Sequence, residues 1–257
     1  MSMHSTFSRV AVVTGGAKGI GAEVCRRLAL RGDKVWIADL DLSQAQSLAE
    51  ELVQHGGRAK AIELDVGKPE SVALAFAAID AEDHRCDVLV NSAGIAKVFP
   101  FLDFPLANFV DTLNINVTGT LLCAQHAARL MVRHRWGRIV NIASVAGFRA
   151  VGTGRTAYGT SKGAVVALTR QMAVELAEHG ITANAVCPGP VDTPMTQALH
   201  TAQFRQEYAK AIPMERYGTP QEIAAAVLYL ASEEATYTTG IALPVDGGFL
   251  ASGARGL

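Results

Sequence analysis

Cysteine is scarce in this chain, and the four that occur (Cys25, Cys86, Cys123 and Cys187) stand far apart with no C-x-x-C among them. That spacing argues against a disulfide framework or a zinc ribbon and leaves buried, reduced thiols as the expectation. The seven histidines (His4, His55, His84, His126, His134, His179 and His200) show no H-E-x-x-H or similar pattern, so no metal site is expected. Charge of one sign is missing too. The formal net charge is −1 with no long run of either sign, which removes the electrostatic case for nucleic acid or an anionic membrane as partner. No apolar stretch approaches the length of a membrane span, and residues 1–8 lack the charged and apolar regions of a secretory signal. They read as a flexible N-terminus ahead of a single domain over 9–257, and the protein reads as cytoplasmic.

What the chain does have is alternation. Apolar, strand-like runs at 10–14, 35–38, 59–64, 88–90, 139–142, 182–186 and 242–245 are separated by helical patterns. Such alternation predicts βαβ units, an α/β fold in which a doubly wound parallel sheet carries helices on both faces. With 257 residues and 49% hydrophobic content, one large core can be buried. The least regular stretches, 95–105, 148–156 and 188–201, each follow a predicted strand and should border a ligand site, because open α/β sheets bind ligands beyond the carboxyl ends of their strands. The stretch 188–212 reads as a substrate loop whose helical part, 202–211, can close as a lid.

The first strand leads directly into Gly15-Gly16-Ala17-Lys18-Gly19-Ile20-Gly21 and then an apolar-periodic helix with Val24, Leu28 and Leu30. Strand, glycine turn and helix N-terminus together aim backbone N–H groups and the positive end of a helix dipole at one point, which suits a pyrophosphate. Asp39 ends the next strand about 20 residues downstream, where a carboxylate can bond the adenosine ribose hydroxyls. A nucleotide P-loop requires Gly-Lys-Ser/Thr at its end, and here Lys18 precedes the last glycines.

The second informative stretch is Tyr158-Gly159-Thr160-Ser161-Lys162. Residues at i and i+4 of a helix share a face, so the ammonium can stand beside the phenol and favour its ionised form. An unperturbed phenol titrates near roughly 10 and needs such help to exchange a proton at neutral pH.

With both motifs placed, the chain resembles the classical short-chain dehydrogenase/reductase family over essentially its whole length. Thr14-Gly15-x-x-x-Gly19-Ile20-Gly21, Asp65-Val66, Asn91-Ser92-Ala93-Gly94, Asn116, Ser144, Tyr158-x-x-x-Lys162 and Pro188-Gly189-x-Val191-x-Thr193 occur in family order. The resemblance implies a Rossmann-type fold, a nicotinamide dinucleotide cofactor, a small secondary alcohol or ketone as substrate, and a homotetramer assembled through 221–231 and 245–249. It gives Tyr158 the acid/base role and has Lys162 lower the phenol's pKa while holding the nicotinamide ribose. Ser144 orients the substrate oxygen, and Asn116, rather than nearby Asn114, keeps a water that links Lys162 to solvent. Gly15, Lys18, Gly19, Ile20 and Gly21 would cradle the phosphates and Asp65 with Val66 the adenine. Asn91, Ala93 and Gly94 would line the cleft, and Pro188, Val191 and Thr193 would approach the carboxamide.

Two residues disagree over the cofactor. Asp39 favours NAD, since it would repel a 2'-phosphate, whereas Lys18 stands where many NADP-preferring relatives carry a basic residue. The expectation follows Asp39, with NADP use left possible. Ser144 and Tyr158 stand fourteen positions apart, more than is usual in the family, and the loop between them holds Arg149 and Arg155. Arg155 can bind a substrate carboxylate, sulfonate or phosphate, or it can be a solvent or interface charge. Phe99, Phe101 and Phe104 can form an apolar pocket wall or a satellite core. An NADPH-dependent 3-oxoacyl reductase and a non-catalytic dinucleotide sensor remain as rivals.

Overall fold

A computed structural model describes residues 9–253; the expectation for residues 1–8 lies outside the described residues. In chain order the elements are β1 (Val10–Thr14), α1 (Gly19–Leu30), β2 (Lys34–Asp39), α2 (Leu42–Gln54), β3 (Arg58–Glu63), α3 (Pro69–Asp83) and β4 (Val88–Asn91). Next come α4 (Leu106–Leu113), which runs through a π-helical turn at Asn114–Thr118 into α5 (Gly119–Val132), then β5 (Gly137–Ile142) and α6 (Thr156–Leu176). The chain continues with β6 (Ile181–Pro188), α7 (Pro194–Leu199), α8 (Ala202–Lys210), α9 (Pro220–Leu230) and β7 (Ala242–Val245).

All strand pairs are parallel, in the order β3-β2-β1-β4-β5-β6-β7. The interior strands are rich in β-branched residues and buried on both faces, as a helix-covered parallel sheet requires. Successive residues therefore enter different cores. Val13 and Ile37 pack with Leu28 of α1, Leu48 of α2 and Val227 of α9. Their neighbours Val12 and Trp36 pack on the other face with Phe76 of α3, Met131 of α5 and Met172 of α6. The strand order reverses at β1, which pairs with β2 on one side and β4 on the other, so a crevice opens beyond the carboxyl ends of these strands.

Two local expectations need correction. Leu30 is not on the buried face of α1: it is 81% exposed, while Val24, Cys25 and Leu28 carry the burial. The stretch 188–201 is not irregular throughout, because Thr193 caps α7 in a capping box with Thr196 and Pro194 occupies the first turn. All four cysteines are buried free thiols. Among the described residues no helix is long and apolar enough to cross a membrane, and no group of three His, Cys, Asp or Glu side chains could hold a metal ion.

Candidate active site

A cleft of ≈ 460 Å³ lies at the switch point, bounded by the β1–α1 turn, the ends of β2 to β6, the N-terminal part of α6 and the start of α7. Its dinucleotide side begins at the glycine turn. Lys18 is the N-cap of α1 and provides no side-chain cap, so the first-turn N–H groups around Gly19 and Ile20 face the cleft without an intrahelical partner. Gly15 and Gly19 take positive φ (61° and 56°), which a residue with a side chain adopts only at a cost. An uncapped helix N-terminus beneath a glycine turn is a donor set that fits a pyrophosphate.

The carboxylate of Asp39 braces this turn: one oxygen accepts from the Ala17 N–H at 3.0 Å and the other from the Asp41 N–H at 3.0 Å. Lys18 turns away to Asp41, with Nζ 3.0 Å from its carboxylate. Asp65 and Val66 line the same cleft, as do Ala93, Gly94, Pro188, Val191 and Thr193. Two residues expected at the cofactor surface do not line it. Asn91 is buried beneath, donating to the Asn141 side chain at 2.9 Å, and Gly21 is packed against the backbone of Gly15, where it closes the turn from behind.

The reactive end is built on α6. Tyr158 and Lys162 share its inner face, with Nζ 5.7 Å from the phenol ring centroid. Ser144, at the end of β5, accepts the Ala146 N–H at 3.1 Å and lines the cleft together with Tyr158. Asn116 does not line the cleft but stands directly behind it, in the π-helical turn. Its amide nitrogen donates to the Ile95 carbonyl at 3.0 Å and to Ser161 Oγ at 2.9 Å, and its oxygen accepts the Ile95 N–H at 2.8 Å. Ser161 in turn donates to the Tyr158 carbonyl at 2.8 Å. Asn116 thus ties the loop after β4 to the turn of α6 that presents Tyr158. Asn114 is spent on the Gly67 carbonyl at 3.0 Å, away from this network.

The electrostatics differ from the sequence expectation in one respect. Burial pushes Lys162 down to about 8, and its ammonium donates to the Ile142 carbonyl at 2.8 Å. Burial pushes Tyr158 above its ordinary value, offset only in part by the neighbouring Ser144 hydroxyl and the Arg155 charge. Lys162 therefore loses its proton before the phenol ionises, and in the protein's own field it does not lower the phenol's pKa. Below about pH 8 it remains a cation at the floor of the cleft.

Arg155 does not line the cleft. Its guanidinium Nη2 lies 2.7 Å from His200 Nε2, and His200 Nδ1 lies 3.0 Å from the Tyr217 hydroxyl. The three phenylalanines do not form a pocket wall. Phe99 and Phe104 meet edge to face at 5.5 Å, Phe104 meets Phe109 at 6.5 Å, and Phe101 is 75% exposed. Sequence reasoning missed Ser161 and Tyr217, whose neighbours arise only from the packing of distant segments.

A family model described as enoyl-(acyl carrier protein) reductase matches residues 15–250. The 3-oxoacyl-[acyl-carrier-protein] reductase FabG of Aquifex aeolicus (strain VF5) is 39% identical over 241 residues, covering 93% of this chain and 96% of the relative. Among solved structures, that of gox2181 superposes with a TM-score of 0.93 at 35% identity, covering 95% of this chain and 96% of the other. A gluconate 5-dehydrogenase from Burkholderia cenocepacia J2315, in complex with NADP and tartrate, superposes with a TM-score of 0.91 at 32% identity over the same shares of the two chains.

Proposed function

The chain belongs to the short-chain dehydrogenase/reductase family, and from that membership we propose an NAD(H)-dependent oxidoreductase acting on a small secondary alcohol or its ketone. The observation that carries this reading is the convergence of Ser144, Tyr158 and Lys162 in one cleft with the uncapped N-terminus of α1. A bound nicotinamide supplies the hydride acceptor or donor. The protein does the rest. The α1 N-terminus with Gly15, Lys18, Gly19 and Ile20 holds the pyrophosphate, Asp39 the adenosine ribose, and Asp65 with Val66 the adenine. Ala93, Gly94, Pro188, Val191 and Thr193 flank the nicotinamide end, and Lys162 binds its ribose. Ser144 fixes the substrate oxygen within reach of Tyr158, which takes the alcohol proton on oxidation and returns it on reduction. We also take the domain over 9–257 to work as one unit and the protein to be a cytoplasmic homotetramer, both by likeness to the family.

The choice of NAD rests on Asp39. Two like charges about 4 Å apart repel by roughly 1 to 4 kcal/mol between bulk water and a protein surface, so a 2'-phosphate beside this carboxylate is disfavoured by about tenfold or more. Lys18 offers little compensation because Asp41 already holds it. Wild-type kcat/KM is therefore expected to favour NAD(H) over NADP(H), and Asp39→Ala to narrow the gap. Steady-state rates with both cofactors decide it: a wild-type preference for NADPH means the weight belongs on Lys18 instead.

A second reading, an NADPH-dependent 3-oxoacyl thioester reductase, is favoured by the FabG relative. Assaying 3-oxoacyl thioesters beside small ketones with each reduced cofactor separates the two. A purely sensory role is the weaker rival, because Ser144, Tyr158 and Lys162 are all in place.

A further inference from the structure

We propose that the substrate of this oxidoreductase carries a carboxylate that reaches beyond the cleft lining to Arg155, and that His200 and Tyr217 are positioning residues that hold the guanidinium there. The inference rests on the function proposed above and adds the substrate's chemical class.

Arg155 is the N-cap residue of α6, and its carbonyl accepts the Gly159 N–H at 2.8 Å, which winds the first turn tightly. Three positions on stands Tyr158, and the Arg155 charge is close enough to act on its phenol. The guanidinium is half-buried, and its hydrogen bond is to a histidine rather than to an acid. Among the described residues no carboxylate forms an ion pair with Arg155. A half-buried cation without a counter-charge is costly, and the cost is relieved when an anion enters beside it. Neighbouring cations are already engaged: Arg205 pairs with Asp192 at 3.0 Å, and the Arg149 guanidinium lies 4.8 Å from the centroid of the Phe249 ring. One unpaired guanidinium fork matches a monoanion of carboxylate geometry.

The histidine's state follows from its partners. A guanidinium only donates, so His200 Nε2 accepts from Arg155 and the ring proton sits on Nδ1, pointing to the Tyr217 oxygen. Burial, together with the charges of Arg155 and Arg205, pushes His200 down to about 4, so it is a neutral acceptor at working pH. His200 lies between α7 and α8, and its ring packs on Phe204 and Tyr208, with centroids 4.7 and 6.2 Å away. Tyr208 packs on Phe249 at 5.6 Å. Three separate segments, the start of α6, the α7–α8 corner and the return toward α9, are thereby joined through one imidazole. The arrangement leaves the remaining guanidinium nitrogens for the ligand.

The test uses the intact protein with NAD(H) and matched pairs that differ only in charge: 3-hydroxybutanoate with its methyl ester, and a six-carbon aldonate with the alditol of the same length. The wild type is expected to prefer the anionic member of any pair it oxidises by about thirtyfold or more in kcat/KM, mainly through KM. Arg155→Ala should collapse that ratio. His200→Phe keeps the ring packing but removes the acceptor and should raise KM for the anion by about tenfold, and His200→Gln, which can accept from Arg155 and donate to Tyr217, should restore it. A loss of stability alone would not produce a KM change confined to the anion and repaired by glutamine. Equal kinetics on both members, or equal losses on both in Arg155→Ala, overturns the proposal. Glycerol 3-phosphate serves as a further arm, and better kcat/KM on it than on the carboxylates overturns the carboxylate assignment. Titration of the NADH-loaded protein with the same carboxylates gives a readout independent of turnover. Binding that Arg155→Ala abolishes, without hydride transfer to any pair, sinks the oxidoreductase reading and keeps the anion site; no binding, or binding that survives Arg155→Ala, sinks the anion site.

Discussion

Tyr158→Phe is expected to lower turnover by about a hundredfold or more while NADH affinity changes far less. Phenylalanine keeps the ring on the inner face of α6 and removes the oxygen proposed to exchange a proton with substrate. The uncapped N-terminus of α1, proposed to hold the pyrophosphate, is untouched by the change. Lys162→Ala should damage both functions, because its ammonium lines the cleft and is the group proposed to bind the nicotinamide ribose beside Tyr158. Steady-state kinetics together with NADH titration reads both quantities. A Tyr158→Phe enzyme with wild-type turnover would eliminate the mechanism. The pH profile gives a second reading: burial raises the phenol, so the oxidation rate should climb through the alkaline range, and that climb should disappear in Tyr158→Phe.

Lys162 also carries a cost in stability whose sign can be worked out. Its pKa falls from 10.5 when unfolded to about 8 in the fold, so between those values the unfolded chain holds a proton that the native protein has released. Stability therefore rises with pH across that window, and below about pH 8 the full penalty applies, on the order of 3 kcal/mol. Lys162→Met should accordingly raise Tm at pH 7, and the gain should shrink as pH approaches 10, even though activity is lost. Thermal melts at the two pH values test this; a variant no more stable than the parent at pH 7 would show that the ammonium is better solvated than its burial implies.

Much of the fold was legible in the sequence for a physical reason. Strands buried on both faces appear as short, continuous apolar runs, and β1 coincides with the run at 10–14. Glycine turns and caps act over a few residues, so the β1–α1 corner and the Tyr158–Lys162 pair could be placed from local spacing. What failed depended on distance in the chain. Nothing near position 200 announces that His200 will meet Arg155, 45 residues earlier, or Tyr217, 17 residues later. Nor does Asn91 reveal that its amide will be used on Asn141, across the β4–β5 pair, rather than on a ligand. The phenol's raised pKa belongs to the same class, since desolvation is a property of the packed core and overrides the local lysine. Leu30 failed for the opposite reason: it continues an apolar pattern past the point where α1 still faces the sheet.

The glycine turn offers the sharpest contrast between two positions that look alike in sequence. Gly19 needs its positive φ of 56°, but the space beside it is open, with the nearest atom to an added Cβ at 3.6 Å on Thr193. Gly19→Ala should thus cost only the backbone strain, roughly 1–2 kcal/mol, and weaken the dinucleotide about tenfold. Gly21 has no unusual φ but no space. An added Cβ would stand 2.1 Å from the Gly15 carbonyl oxygen, 2.9 Å from its carbon and 3.1 Å from the Gly16 Cα. All three are backbone atoms, so no rotamer change relieves the clash, and α1 must be pushed away from the turn it caps. Gly15 is closed in as well, since the Ala93 backbone lies 2.7 Å from where its Cβ would be, which leaves the turn no direction in which to yield. The first-turn N–H groups would then no longer converge on the pyrophosphate position. Gly21→Ala is expected to lower NADH affinity by about a hundredfold or more and to destabilise the fold by roughly 1–3 kcal/mol, although no atom of Gly21 lines the cleft. NADH titration and thermal melts of the two variants side by side decide the matter. If Gly21→Ala binds NADH as well as Gly19→Ala does, the close approach of α1 to the Gly15 carbonyl is not what builds the phosphate site.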